Sequence, residues 1–226
     1  MIPVLLYHDI SIRRRDEYTV SAAVFASQME WLYSNGYKAV FFGDLSSADI
    51  PVDPVIITFD DGYASFMDYA YPLLRGYGFK ATINVIGEYV GTYVPELWNA
   101  PMLSWDEYRF LSDEGGVEIG CHTDRLHAYA HKGAEGVPIS MLKEDLERFQ
   151  GKMLRELGKT ASVLAWPYGL FSEDMLNAAA VSGFKYILTS KPSMIKLTGK
   201  TDHIPRINVE GDVGLTRFRT LIGAKQ

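Results

Sequence analysis

Asp60 and Asp61 stand side by side directly after Val55–Phe59, an apolar run rich in β-branched residues that predicts a buried strand. Adjacent carboxylates at the end of such a strand repel each other, so the pKa of one rises unless a cation or a donor compensates. A bound metal ion would remove this cost for one aspartate and leave the other free to act as a base. An ordinary Asp-Gly turn is the alternative interpretation, because both residue types favour turns.

Two histidines, His122 and His127, stand five residues apart after another predicted strand. On a continuous helix this spacing splays the side chains, whereas residues at i and i+4 share a face. The pair can meet on one metal ion if the chain turns between them, and Thr123-Asp124 can make such a turn. His127 and His131 form a rival pair that would suit a helix, although a loop histidine is more often simply solvated.

One carboxylate and two histidines, with positions left for water and substrate, form the type of open site that zinc uses in hydrolases. Such a metal lowers the pKa of its bound water and polarises a carbonyl, which are the two requirements for attack on an amide. We expect Asp61, His122 and His127 to bind one divalent metal, with zinc first and cobalt, nickel, iron or manganese as alternatives. His8 could protonate the leaving amine or simply pack at the edge of the core.

The elements that must position these residues are short strands separated by segments with helical spacing. A serine is expected to cap helices at Ser21, at Ser104 with Glu107 in a capping box, and at Ser172. A stripe of apolar residues from Leu142 to Leu157 predicts a further helix that ends at Gly158. The predicted strands are Val4–Tyr7, Lys38–Phe42, Val55–Phe59, Ala81–Ile86, Val117–Gly120, Ser162–Trp166, Tyr186–Thr189 and Ile204–Val209.

Strands that alternate with helices imply parallel pairing and βαβ units. Seven or eight such units predict an α/β fold, a distorted (β/α)7–8 barrel that forms a single domain over residues 1–226, within the usual length of such barrels. The ligand-type residues follow predicted strands, at the end where barrels of this kind carry their active sites. Gly87–Leu103 and Asp124–Pro138 have no clear period and are candidate substrate-facing loops.

The composition excludes some classes of partner. A net charge of -6 and the scarcity of basic clusters beyond Arg13–Arg15 argue against a nucleic-acid partner. No stretch approaches the ~20 apolar residues of a membrane span, and no signal-peptide pattern opens the sequence. We expect an extracellular or cell-envelope protein if a signal or anchor has been removed, and a cytoplasmic one otherwise. The single Cys121 excludes an intramolecular disulfide and is expected to pack as a small apolar residue. The sequence leaves the oligomeric state open.

These residues, in this order, resemble the motifs of the polysaccharide deacetylases, the NodB-homology group of carbohydrate esterases. The resemblance covers nearly the whole chain and implies a distorted (β/α) barrel. The segment Thr58–Tyr63 is similar to the first motif, in which the first aspartate is the catalytic base and the second binds metal. Asp60 is therefore expected to be the base and Asp61 a ligand.

His122-Thr123 followed by His127 is similar to the second motif of that family. The two histidines of that motif complete the metal site. The commoner spacing between those histidines is four, and the spacing of five resembles the branch that acts on poly-N-acetylglucosamine in biofilm matrices. In that branch the resemblance implies that the N-terminal histidine, here His8, is the general acid.

Trp166-Pro167-Tyr168 resembles the third motif, and the resemblance implies that the backbone N–H of Tyr168 stabilises the oxyanion. The arginine that usually precedes this tyrosine by three residues, and orients the catalytic aspartate, is replaced by Ala165. We expect Arg206 to take that role. The expected substrate contacts are Tyr63, Trp105, Trp166 and Pro167.

The function implied is metal-dependent removal of acetyl groups from an N-acetylglucosamine-containing glycan of a cell wall or biofilm. Two alternatives stay open at this level. The same metal site could open a small N-acyl or cyclic amide, or the missing arginine could mark a sugar-binding barrel that has lost activity.

Overall fold

The computed structural model describes residues 1–13, 16–94, 100–130, 137–196, 201–211 and 213–224. Within these residues the strands are β1 Val4–Tyr7, β2 Ile10–Ser11, β3 Val20–Ser21, β4 Lys38–Ala39, β5 Pro54–Asp61, β6 Ala81–Val85, β7 Tyr93–Val94, β8 Ala100–Pro101, β9 Val117–Cys121, β10 Val163–Ala165, β11 Tyr186–Leu188 and β12 Ile207–Asn208. The helices are α1 Ala22–Ser34, α2 Tyr71–Tyr77, α3 Trp105–Asp113, α4 His127–Ala130, α5 Ile139–Leu157, α6 Glu173–Val181 and α7 Leu215–Leu221. Single helical turns lie at Phe42–Ser46, Phe66–Ala70 and Pro167–Gly169.

Eight of the described strands form one parallel sheet, in the spatial order β11, β10, β9, β6, β5, β1 and β12, with β4 paired to β5. The sheet curls into a barrel with helices outside it. Its two ends, β11 and β12, approach each other through an isolated parallel bridge between Leu188 and Ile204. The predicted α/β barrel is therefore confirmed.

The strands are buried on both faces, as parallel strands covered by helices must be. Ile57 and Phe59 of β5 face outward and pack in one cluster with Phe25 of α1. The alternate residues face the barrel interior, where Ile56 packs with Val4 in a second apolar cluster. The interior is thus apolar near the amino ends of the strands. Towards the carboxyl ends it becomes polar.

The predicted helix boundaries are confirmed where a cap specified them. Ser21 accepts the backbone N–H of Val24 and begins α1. Ser104 forms the expected capping box with Glu107 at the start of α3. The caps of the other two predicted helices are Ser172 at the start of α6 and Gly158 at the end of α5.

The strand predicted over Ile204–Val209 is divided between two partners. Ile204 bonds to the edge strand β11, whereas Ile207 and Asn208 pair with β1. Pro205 lies between them and has no backbone N–H to donate, which favours an interruption of the ladder at this point. The interruption lets one segment close the barrel. None of the helices in the described ranges is long and apolar enough to cross a membrane.

Candidate active site

A cavity of about 290 Å³ lies at the carboxyl ends of the barrel strands. Strands that are distant in the sequence supply its polar lining, because parallel strands end at the same edge of the barrel. Among the described residues it collects two carboxylates, three imidazoles and one guanidinium, from Asp60, Asp61, His8, His122, His127 and Arg206. All six were expected to belong to the site from the sequence.

Asp61, His122 and His127 lie together in this cavity and are all buried. The Oδ1 atom of Asp61 is 3.5 Å from His122 Nε2 and 3.6 Å from His127 Nε2. The ligand-type atoms of the three side chains lie within 4.8 Å of one another. This is the arrangement expected of three ligands that converge on one ion.

Two backbone positions outside the common regions bring the ligands together. In a regular strand Asp60 and Asp61 would face opposite sides of the sheet. Asp61 instead has a φ of 73°, and both aspartates line the cavity. Thr123 has a φ of 68° and makes the expected turn between the two histidines. Positive φ costs free energy in residues other than glycine, and such strain is concentrated at functional sites.

The electrostatics of His122 and Asp61 suit a metal ion. His122 Nδ1 lies 2.8 Å from the carbonyl oxygen of Ala165, a contact that orients the ring so that Nε2 faces the cavity. Burial lowers the pKa of His122, against the effect of the neighbouring Asp60 carboxylate, so the ring is neutral as a metal ligand must be. Burial, with the charge of Asp60, raises the pKa of Asp61 well above its usual value. A divalent cation would compensate the Asp61 carboxylate, so these residues fit a bound metal.

Asp60 is held differently, by a bidentate ion pair with Arg206. Arg206 Nη1 donates to Asp60 Oδ1 and Nη2 donates to Oδ2, each at 2.7 Å. The guanidinium is itself fixed, since its Nε donates to the carbonyl oxygen of Thr189 at 3.0 Å. Burial alone would raise the pKa of Asp60, but Arg206 and His122 lower it well below the usual range. The contact expected between Arg206 and Asp60 is present, and Asp60 is ionised.

Asn84 and Thr58 belong to the same polar group but were not expected from the sequence. Asn84 Nδ2 donates to Asp60 Oδ1 at 2.8 Å, and Arg206 Nη1 donates to Thr58 Oγ1 at 3.2 Å. Thr58 on β5 and Asn84 on β6 both face the barrel interior. The sequence carries a signal for each of them. Thr58 is a polar residue at an inward-facing position two residues before Asp60, and Asn84 lies directly beside Asp60 on the neighbouring strand.

His8 and Tyr168 complete the cavity wall. The His8 ring lies 5.0 Å from the ring of Tyr18, and its Nδ1 is buried without a hydrogen-bond partner among the described residues. Burial lowers the pKa of His8 to about 4, although Asp60 acts in the opposite direction. Tyr168 has a φ of 58°, and its ring lies 5.3 Å from that of His127.

The four residues expected to contact substrate are placed unequally. Trp166 lines the cavity and is buried, and its Nε1 has no hydrogen-bond partner in the described part of the chain. Pro167 is buried beside it and does not line the cavity. Tyr63 packs with Met102, and Trp105 packs against the core next to Tyr108. Neither Tyr63 nor Trp105 lines the cavity.

The other candidate residues lie elsewhere. His203 lies outside the cavity, with its Nδ1 3.1 Å from Asp202 Oδ1. Cys121 is buried in the apolar cluster on the helix-facing side, opposite His122. His131, the rival partner of His127, lies outside the described residues.

Comparison with known proteins identifies the family. The family model described as polysaccharide deacetylase matches residues 48–187, more than half of the chain. The chain belongs to the polysaccharide deacetylase family. It is 27% identical to the poly-beta-1,6-N-acetyl-D-glucosamine N-deacetylase of Staphylococcus aureus (strain MSSA476) over 218 residues, which are 92% of this chain and 73% of that protein. It is also 27% identical to YxkH of Bacillus subtilis (strain 168), a match that covers 84% of this chain and 65% of YxkH.

Solved structures show the same deacetylase fold. A de-N-acetylase from Aggregatibacter actinomycetemcomitans superposes with a TM-score of 0.83 at 23% identity, over 97% of this chain and 99% of that one. IcaB from Ammonifex degensii superposes with a TM-score of 0.81 at 24% identity, over 98% of this chain and 95% of that one. At these identities the likeness establishes the barrel of this deacetylase and not its substrate.

Proposed function

We propose that this protein hydrolyses the acetamido bond of N-acetylglucosamine units in a polysaccharide, releasing acetate and leaving a free amine. One observation carries the proposal: an ionised Asp60 held by Arg206 stands beside an Asp-His-His set in a single cavity. A relative that covers most of the chain is named for deacetylation of poly-β-1,6-N-acetylglucosamine, which supports this polymer as the substrate. Cell-wall and biofilm polymers would place the protein in the cell envelope or outside the cell.

Asp61, His122 and His127 would hold the metal, and we propose zinc because two imidazoles and one carboxylate suit it. When bound, the metal lowers the pKa of water and polarises the acetamido carbonyl. The chain supplies the rest of the chemistry. Ala165 keeps the His122 ring oriented, and burial keeps the site dry enough for charges to act strongly.

Asp60 accepts the proton of the attacking water, and its hydrogen bonds indicate which oxygen does so. Oδ1 already accepts two donors, from Arg206 and Asn84, which occupy both of its lone pairs. Oδ2 accepts one donor from Arg206 and lies 4.0 Å from His122 Nε2, on the side of the metal ligands. Oδ2 therefore has a lone pair directed to the reaction and is the basic atom.

His8 delivers a proton to the leaving nitrogen. Since the pKa of His8 is about 4, its imidazole is neutral near pH 7 and must gain a proton within the site before it can donate one. Its partnerless Nδ1 is an available position for that proton. Substitution His8→Gln should lower kcat and leave metal affinity unchanged, because His8 is not a ligand.

Tyr168 and Trp166 would contact the acetyl group and the sugar. The left-handed backbone of Tyr168 is supported by Ser190, whose Oγ donates to the Tyr168 carbonyl oxygen at 3.2 Å. Trp166 offers a buried N–H that gains a partner if a substrate oxygen binds there. Tyr168 is 49% exposed, so the cavity opens to solvent at this residue, as a polymer substrate requires.

The decisive experiment is acetate release from poly-β-1,6-N-acetylglucosamine, chitin oligomers and peptidoglycan. The assay is run with chelator and then with zinc, cobalt, nickel, iron or manganese added back. We expect release from the first polymer, its loss with chelator and its return with metal. Release from small N-acyl or cyclic amides but from none of the glycans would contradict a polymer substrate. Stoichiometric metal without release from any substrate would indicate a binding protein.

A further inference from the structure

The loop that joins the two histidine ligands rests on a group of buried charges that takes no part in the reaction. Asp124, in the middle of this loop, is 0% exposed, and Asp145 of α5 is 1% exposed. Lys152, two turns further along α5, reaches the same place. We call Asp124, Asp145 and Lys152 the loop clamp.

Asp145 holds the backbone of the loop. Its Oδ2 accepts the N–H of Asp124 at 2.7 Å, and its Oδ1 accepts the N–H of Arg125 at 2.8 Å. Hydrogen bonds from backbone N–H groups to a carboxylate are stronger than those between neutral groups. The two N–H groups belong to the residues that separate His122 from His127, so α5 determines the path of the chain between the ligands.

Lys152 holds the side chain of Asp124. Its Nζ lies 2.6 Å from Asp124 Oδ1 and donates to the carbonyl oxygen of Gly87 at 3.0 Å. The segment at Gly87 pairs with the loop in turn, since Gly87 N–H donates to the carbonyl oxygen of Thr123 at 3.0 Å. A Cβ at position 87 would overlap Asp124 Oδ1 and crowd Phe149. Only glycine therefore leaves room for the Asp124 side chain.

We propose that Asp145 and Lys152 are positioning residues for the metal centre. Because they stand five positions apart, His122 and His127 do not face one ion by helical geometry alone. The clamp imposes the turn that directs both rings at Asp61. Buried ion pairs are weak sources of stability, because desolvation offsets their attraction. The ion pair between Lys152 and Asp124 therefore acts mainly on the geometry of the metal ligands. The proposal rests on the metal centre of the proposed function.

Metal affinity tests the proposal directly, with Zn²⁺ as the probe and a chromophoric chelator as competitor. Lys152→Met keeps the aliphatic stem and removes the charge that holds Asp124. We expect about 10-fold weaker binding, the lower end of the effect of removing a group that orients a metal ligand. Lys152→Arg keeps a cation and should restore much of the affinity. Lys143→Met, on an exposed position of the same helix, is the matched control and should bind Zn²⁺ as the wild type does.

Gly87→Ala gives a second test that alters no charge. The φ of Gly87 is not in the left-handed region, so the substitution acts through the displaced Asp124 side chain and not through backbone strain. We expect weaker Zn²⁺ binding here too. The Tm of each variant is measured with chelator and with Zn²⁺. A positioning role reduces the Tm increase produced by Zn²⁺, whereas a purely structural role lowers both Tm values equally.

Two results would overturn the proposal and are distinguishable. If the wild type binds Zn²⁺ and folded Lys152→Met and Gly87→Ala bind it equally well, the positioning role is wrong and the metal centre stands. If the wild type binds no divalent metal, the metal centre and the role of the clamp both fall. Weak Zn²⁺ binding by Lys152→Met, together with recovered Zn²⁺ binding by Lys152→Arg, would support the proposal.

Discussion

The two ends of the barrel carry cavities that differ in the ionisable side chains that line them. At the amino ends of β1 and β5 a cavity of about 930 Å³ has a mixed lining, which includes apolar and aromatic residues such as Ile2, Trp31 and Met194 and the polar Asn35. Its described lining contains one carboxylate, Asp53, and no histidine. At the carboxyl ends the cavity is smaller, about 290 Å³, and is lined by the aspartates, histidines and arginine described above.

The difference shows that volume does not locate the chemistry of this protein. Ionisable groups are costly to bury, and they are retained where each can be compensated by a partner. Asp60 is compensated by Arg206, whereas Asp61 faces the rings of His122 and His127 and would be compensated by a cation. The smaller cavity combines these two environments. In the larger one the only carboxylate among the described lining residues, Asp53, is exposed to solvent and needs no such compensation.

The largest expected effect is at the carboxyl end, from Asp60→Asn. Loss of a general base lowers kcat by about 10²–10⁴-fold. Metal binding should persist, because Asp60 is not one of the three ligands. Acetate release and metal content are measured on the same sample, with folding checked because Arg206 loses its charged partner. His122→Ala should lose both metal and turnover. An Asp60→Asn protein with near wild-type turnover would show that the base is another residue.

Arg206→Lys should have the next largest effect. Lysine keeps the charge but cannot make two parallel hydrogen bonds to Asp60, and Thr189 loses a donor. Buried acceptors left without donors cost about 1–3 kcal/mol, so the free energy of unfolding should fall by that order. Denaturant unfolding and kcat are compared with those of the wild type. Unchanged values for both would mean that Arg206 does not restrain Asp60.

A smaller effect concerns pH and His8. The pKa of His8 is about 4 in the folded protein, below the value near 6.5 of an unfolded chain. Between these values the unfolded state binds more protons, so the contribution of His8 to stability declines as pH falls from about 6.5 to 4. In chelator, His8→Gln should lose less stability over this range than the wild type. If the free energy of unfolding of the wild type and of His8→Gln fell equally over this pH range, His8 would be an exposed histidine whose pKa is not lowered.

The smallest effect is expected at the amino end. Val52 is 95% exposed beside the larger cavity, and Val52→Lys should change the free energy of unfolding by no more than about 0.5 kcal/mol. We also expect unchanged kcat on every glycan. If polymer hydrolysis fell while hydrolysis of short oligomers did not, the amino end would be a polymer-binding surface and the contrast between the two ends would need revision.

Much of the fold could be predicted from the sequence because its signals are local. Serine caps, apolar stripes and β-branched runs act over a few consecutive residues, and they placed most strands and the capped helices. The same holds for the candidate metal ligands, since Asp61, His122 and His127 each follow a predicted buried strand. The positions of loop side chains depend on packing between distant segments: Tyr63 packs with Met102 and Trp105 next to Tyr108, and their expected contact with substrate stays a prediction.

The sequence by itself determined the ligand types, their position at strand ends and the resemblance to the deacetylases. The tertiary structure decided how those residues are paired and charged. Arg206 is 146 residues from Asp60 and lies outside the segment matched by the family model, as His8 does. Closure of the barrel brings β12 beside β1 and makes the Arg206–Asp60 contact possible. The opposite pKa shifts of Asp60 and Asp61 likewise depend on burial and on distant partners, which adjacent residues cannot specify.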